Sequence, residues 1–200
     1  MKLLNYLLEQ TPIYRIWQAP FAAAKVAPML AHNDVSQARR VLDIGCGPGI
    51  NTRLFMRSDY LGVDINAHYI EYAKKKYKHR FEQGDITSCN IDKNNGFDWI
   101  LANSFFHHIE TRAVHYILDR LSSWLTENGH IHILDLIKPD NPSIAQFIAN
   151  WDRGKYARSL QEWQTIFKQH LDIMIFEPYT VKALGTTLWN MIYCKAKARN

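Results

Sequence analysis

The sequence predicts an α/β protein: a doubly wound, seven-stranded, mostly parallel sheet with a C-terminal antiparallel hairpin and an N-terminal helical lid. Three observations predict it. From residue 39 to 136 short apolar runs alternate with helical patterns, the order that yields a parallel sheet covered on both faces. Gly45, Gly47 and Gly49 stand at alternate positions directly after the first apolar run and before a helical stretch. Near the end, two strand patterns are joined only by "YTVKALGT", too short for a crossover helix, so they pair antiparallel.

The elements follow in order. Residues 3–9 and 13–31 read as helical, with Pro12, Pro20 and Pro28 dividing them into short pieces laid over the core. The first strand occupies 40–44, and a helix from 50 to 57 follows the glycines. "YLGVDI" is the second strand, and Asn66 caps the helix through "AHYIEYAKKKY". A short strand near "RFEQGD", the strand "FDWILAN", a helix from about Thr111 to Leu125 and the strand "HIHILDL", introduced by the turn "ENG", complete the alternation. After Asp135 two helical segments surround a polar loop before the closing strands "LDIMIFEP" and "TLWNMIYCKA". One domain over 1–200 is expected: a lid at 1–38, a core at 39–136, an insert and helix at 137–170 and the hairpin at 171–200.

Composition narrows the function classes. An apolar fraction of 47% is ample for one core and argues against disorder. The net charge of +5 is concentrated in "KKKYKHR" and "KAKAR", and the first run lies on the polar side of a helix without interleaved aromatics. A solvated face is therefore expected rather than a nucleic-acid surface. Cys46, Cys89 and Cys194 are odd in number and widely spaced, which indicates neither a disulfide framework nor a metal knuckle. With no apolar run of 18 residues and no leader-like N-terminus, a cytoplasmic protein without integral membrane contact is expected. The sequence leaves the oligomeric state open.

"VLDIGCGPG" holds the sharpest chemical signal. A glycine turn between strand and helix lets a ligand approach backbone atoms with no Cβ in the way. A dinucleotide fingerprint would be spaced GxGxxG, but here the sixth position is Ile50. Asp64 closes the second strand, where an acid accepts from both ribose hydroxyls. Asp85 in "QGDI" is placed to accept from an exocyclic adenine amine, with Ile65 and Ile86 positioned to sandwich the ring.

Together these motifs resemble the class I S-adenosylmethionine-dependent methyltransferases over about residues 40–136: "VLDIGCGPG" their first motif, "LGVDI" their ribose acid, "QGDI" their adenine-edge motif, "FDWILANSFFHHI" their fourth-strand motif and "NGHIHILD" their fifth strand. The resemblance implies S-adenosyl-L-methionine as cofactor and S-adenosyl-L-homocysteine as product. It implies that the backbone from Gly45 through Cys46 and Gly47 to Gly49 faces the methionine portion and ribose. Asp64 then holds the ribose, Asp85 and Ile86 meet the adenine, the Asn103 carbonyl lies near the methionine ammonium, and Asp43 supports the loop. A sulfonium without pyrophosphate tolerates these carboxylates, which phosphates would repel.

Methyl transfer by in-line displacement chiefly requires alignment, and a base helps where the acceptor is a hydroxyl, phenol or protonated amine. His107 and His108 follow the fourth strand at the ligand-binding edge, with His108 the better candidate; the alternative is a histidine hydrogen-bonded in a loop. "NSFF" lacks the two prolines of the (N/D)PP(Y/F) motif of enzymes that methylate DNA bases, so base flipping is not expected. No clustered carboxylates argue for a metal, and "HIH" lacks a third ligand. The acceptor pocket is expected between the lid, with Tyr14 and Trp17, and the insert at 139–160, with Arg153, Tyr156 and Arg158 as anion binders. For the arginines the competing role is to fix the loop. Enzymatic methylation of a small-molecule metabolite on O, N or C is the leading reading. A methyltransferase-like fold that performs other chemistry, or serves as a binding or regulatory module, is the alternative.

Overall fold

The structure, a computed structural model, describes residues 11–91, 96–139, 156–183 and 185–199, with side chains from Phe21 onward. Helix 3–9, most of the insert, the side chains of Tyr14 and Trp17, and Arg153 lie outside the described residues. Seven strands form one sheet: β1 (Arg40–Ile44), β2 (Asp59–Asp64), β3 (Arg80–Gln83), β4 (Phe97–Asn103), β5 (Leu125–Leu136), β6 (Leu171–Ala183) and β7 (Thr186–Ala198). Their spatial order is β3-β2-β1-β4-β5-β7-β6. β1 to β5 run parallel, and β7 is antiparallel to both β5 and β6. The predicted sheet and closing hairpin are thus observed.

Four helices accompany the sheet among the described residues: α1 (Thr11–His32), α2 (Ala67–Lys76), α3 (Thr111–Trp124) and α4 (Leu160–His170). Alternate residues of the central strands feed two cores. Leu42, Ile44, Ile100, Ile131 and Ile133 pack with Val114, Ile117, Leu118, Trp163 and Phe167 of α3 and α4. Val41, Trp99, Leu101, Leu134 and Tyr193 pack on the other face with Val26 and Met29 of α1 and with Phe55. Because both faces are covered, the strands read as continuous apolar runs rather than alternating ones.

Local signals place the helices. Asn66 caps α2 as predicted, its side chain accepting from the amides of His68 and Tyr69. Ser159 and Glu162 form a reciprocal capping box at the start of α4. Val114, Ile117, Leu118, Leu121 and Trp124 give α3 one buried face at helical spacing.

Four expectations are corrected. α1 is one continuous helix through Pro20 and Pro28 rather than several pieces. An interior proline costs about 3 kcal/mol, and the buried Val26 and Met29, with the edge-to-face contact of Phe21 on Trp189 at 5.0 Å, oppose that cost. After the glycine turn, the helix predicted over 50–57 is a single 3-10 segment at Asn51–Phe55. "ENG" does not interrupt the chain before the fifth strand: β5 starts at Leu125, next to Phe97. β6 and β7 extend into "YTVKALGT" from both sides, to Ala183 and from Thr186, with Gly185 at φ +79° between them.

Candidate active site

The sheet order changes direction between β1 and β4, and at such a switch point the carboxyl ends of neighbouring strands part to leave a crevice. Ala22, Lys25, Gly45, Cys46, Pro48, Ile50, Asn51, Asn103 and Ser104 line it. Four elements contribute: α1, the turn after β1, the 3-10 segment and the end of β4.

Gly45, Gly47 and Gly49 all adopt left-handed φ, at +63°, +54° and +79°. At Gly45 a Cβ would also run into the ring of Phe105, so this position tolerates no side chain. Two bonds pin the turn to β2: the Cys46 amide donates to the Val63 carbonyl at 3.1 Å, and the Gly47 amide to Asp64 Oδ2 at 2.8 Å. Asp64 Oδ1 accepts from the Asn66 amide at 2.8 Å. Burial raises the Asp64 carboxyl, against the lowering effect of those two amides. A carboxylate has about four acceptor sites, so Asp64 holds the turn and retains lone pairs for ligand hydroxyls.

Asp43 lies beneath the turn, fully buried. Its Oδ2 accepts from the Tyr60 hydroxyl at 2.6 Å and from Asn51 Nδ2 at 3.2 Å, whereas the buried Oδ1 has no partner. Burial pushes this carboxyl up to about 7, over the opposing hydrogen bonds. From Asp43 a polar chain climbs the crevice wall. Asn103 Nδ2 donates to Asn51 Oδ1 at 3.1 Å, the Ser104 hydroxyl to Asn103 Oδ1 at 3.3 Å, and Lys25 Nζ to the Ser104 hydroxyl at 3.3 Å. Ser104 is the one described non-glycine residue with positive φ, at 55°. Such backbone costs about 1–3 kcal/mol and collects at ligand sites. The side chain of Cys46 is buried and its thiol raised well above its usual range, chiefly by burial, which suits a filler rather than a nucleophile.

The nucleoside end is more open. Ile65 is 67% exposed, whereas Ile86 is buried within the α3-side core. Asp85 is exposed, and Oδ1 accepts from the amide and hydroxyl of Thr87, bonds that hold its carboxyl below the usual range.

Beyond β4 the two histidines separate. His107 is buried, and its Nδ1 donates to Asp135 Oδ1 at 2.6 Å. Asp135 also accepts from the amides of Phe106 and Leu136. Burial alone would raise the Asp135 carboxyl; His107 and the two amides outweigh it and hold it low. This pair knits the post-β4 turn to β5. His108 is exposed, its ring 4.0 Å from that of His107. Arg158 is bonded to the turn after β4. It is buried, stacks 4.6 Å from the Trp163 ring, and donates to the carbonyls of Phe106, Tyr156 and Ile109 and to the Thr111 hydroxyl. Tyr156 is 40% exposed, and its amide donates to the His107 carbonyl. Thus the glycine turn, Asp43, Asp64 and Asn103 come together around one crevice, and His107 and Arg158 are drawn into the framework behind it. Sequence reasoning passed over Asn51, Ser104 and Lys25. Asn51 adjoins the glycine motif and was legible as part of it; nothing in the sequence marks one lysine of α1 as buried.

A family model described as a methyltransferase domain matches residues 41–129. An uncharacterized methyltransferase of Mycobacterium tuberculosis is 32% identical over 56% of this chain and 57% of its own length. A trans-aconitate 2-methyltransferase of Rhizobium etli is 26% identical over 82% of this chain and 65% of its own. The chain therefore spans between half and two thirds of the length of these curated relatives. Among solved structures, a SAM-dependent methyltransferase of Methanosarcina mazei superposes with a TM-score of 0.69 at 14% identity, covering 86% of this chain and 98% of that one, a likeness of fold.

Proposed function

We propose, on the premise that this chain belongs to the class I S-adenosylmethionine-dependent methyltransferases, that it methylates a small acceptor with a carboxylate as the nucleophile. The observation that carries the cofactor assignment is Asp64, tied by Oδ2 to the Gly47 amide across a turn of three left-handed glycines. The residues present fit an adenosyl amino acid: a backbone cradle without Cβ atoms, an acid at its rim and, in Asp43 Oδ1, a buried acceptor without a partner. S-adenosyl-L-methionine supplies an electrophilic methyl on a sulfonium and leaves as S-adenosyl-L-homocysteine. Asp64 accepts from the ribose, Asp85 and Ile65 border the adenine, the Asn103 carbonyl takes the methionine ammonium, and Asp43 holds Asn51 and the turn in place.

The acceptor class rests on two supports. A relative is named for methylating trans-aconitate, a carboxylic acid. A carboxylate is already anionic at neutral pH, so its attack requires no proton removal, which matches a site whose buried histidine is committed to Asp135. Arg158 is excluded from acceptor binding in this reading because its terminal nitrogens serve backbone carbonyls and Thr111. Tyr14, Trp17, Arg153 and Tyr156 remain the proposed acceptor contacts, and His108 the proposed base for any hydroxyl acceptor.

Calorimetry with S-adenosyl-L-homocysteine and NAD tests the cofactor, with binding expected of the first alone. Transfer of labelled methyl to a panel of mono-, di- and tricarboxylic acids, followed by alkaline release of labelled methanol, tests the acceptor. Label fixed in an alkali-stable product would overturn the carboxylate assignment.

A further inference from the structure

α3 and α4 pack together on one face of the sheet and share a core through Ile117, Leu121, Ile166 and Phe167. Beside that core, half-buried His115 of α3 meets His170, the last residue of α4. His115 Nδ1 and His170 Nε2 stand 2.6 Å apart, whereas the ring centroids are 4.9 Å apart, so the two nitrogens face each other edge to edge. The other nitrogen of His170 is taken: Nδ1 donates to Asp119 Oδ1 at 2.6 Å. An ionised carboxylate only accepts, so this bond keeps a proton on Nδ1 and leaves Nε2 its lone pair. Asp119 lies one helical turn beyond His115 on α3, and its charge opposes that of Arg158, the guanidinium acting on His115 from just before α4. A ligating histidine is commonly held in this way, with one ring nitrogen toward the ion and the other fixed by a carboxylate. Imidazole nitrogens suit zinc, nickel and copper, whereas Mg²⁺ and Ca²⁺ take oxygen ligands.

We infer that His115 and His170 form a binding site for a zinc-class divalent transition-metal ion, with Asp119 positioning His170. The inference is independent of the S-adenosylmethionine reading, since none of the three residues lines the crevice. Among the described residues no three histidine, cysteine or acidic side chains converge as ligands, so the ion takes two nitrogens from the protein and completes its shell with water. Zinc–nitrogen bonds of about 2.0–2.1 Å in a tetrahedral shell set two ligand nitrogens about 3.3 Å apart. The pair therefore opens by about 0.7 Å from its 2.6 Å contact. The ion takes the place of the proton that the two nitrogens share; that proton passes to solvent, His115 Nε2 takes one up, and both rings ligate as neutral imidazoles. Bound there, the ion ties α3 to the end of α4, where β6 begins, and stabilises the fold by binding only its folded form.

The test uses the full chain, free of any polyhistidine tag, at about pH 7.5, above the ordinary histidine value of about 6.5. Zinc is titrated by calorimetry into wild type and into His115→Gln, His170→Gln and Asp119→Ala variants, each checked for folding by circular dichroism. Wild type is expected to bind one zinc ion, and either histidine variant to weaken that binding tenfold or more. Asp119→Ala keeps both ligands and should weaken it by about 10–100-fold, the effect of losing the carboxylate behind a ligating histidine. Unchanged affinity there would overturn the positioning role. Zinc should also raise the unfolding temperature of wild type and not that of the histidine variants. No zinc binding by wild type overturns the inference, as does an affinity that stays within twofold in both histidine variants, which puts the ion elsewhere. Should a variant not fold, nitrogen NMR of wild type decides: zinc must shift the assigned ring nitrogens of His115 and His170, and shifts confined to other side chains overturn the inference.

Discussion

Asp64 and Asp43, 21 positions apart in the chain, face the same turn from opposite sides and answer different questions. Asp64→Ala removes the acceptor for the Gly47 amide and, in the proposed complex, for the ribose hydroxyls. S-adenosyl-L-homocysteine binding is expected to weaken by about 1–3 kcal/mol, read by calorimetry; unchanged affinity would contradict the assignment. Asp43 is a stability group. Its folded value is raised to about 7, so the folded protein keeps a proton that the unfolded chain releases near pH 4. The stabilisation is complete below that unfolded value and is lost as pH rises toward 7. Asp43→Asn keeps an acceptor for Tyr60 and Asn51 and cannot ionise, so denaturation curves taken from pH 4 to 7 should lose this descending contribution. Asp135 has the opposite sign. Its carboxyl is held low, so its contribution is present above the ordinary Asp value and disappears as pH falls through the depressed one. Asp135→Ala strands His107 and two amides, and breaking such a buried pair costs about 3–5 kcal/mol, measurable by urea unfolding.

Among the elements, the turn after β1 and the start of α4 are set by local chemistry, whereas α1 is set by what it packs against. Gly45→Ala forces a Cβ into left-handed backbone and into Phe105, and about 1–3 kcal/mol of strain should appear as lowered stability and weakened nucleoside binding. Ser159→Ala removes one half of the capping box and should cost about 1 kcal/mol, with no change in nucleoside affinity because neither Ser159 nor α4 lines the crevice. The glycine motif was readable as a short pattern in the chain. The continuity of α1 was not. Proline rules divide that stretch, and only the apolar contacts with β5, β6 and β7 make an unbroken helix the lower-energy outcome. The same packing buries Lys25.

At the scale of the whole molecule, the switch between β1 and β4 creates the crevice, and the antiparallel β7 inserted between β5 and β6 closes the sheet and backs α1 with Trp189. A ligand that binds only this folded arrangement raises stability by RT ln(1 + [L]/Kd), about 2.7 kcal/mol at a hundredfold excess over Kd. Thermal unfolding should therefore shift upward with S-adenosyl-L-homocysteine and stay unchanged with NAD. Sequence alone determined the strand order's parallel character, the glycine turn and the acid at position 64, because each depends on neighbours within a few residues or on a regular alternation. Tertiary structure alone decided which histidine is buried against Asp135, that Arg158 donates to the carbonyls of the turn after β4, and that Lys25 lines the crevice. Those outcomes join residues 28 to 79 positions apart, and burial, which sets whether a charged group holds the framework or meets a ligand, belongs to the packed whole rather than to any segment of the chain.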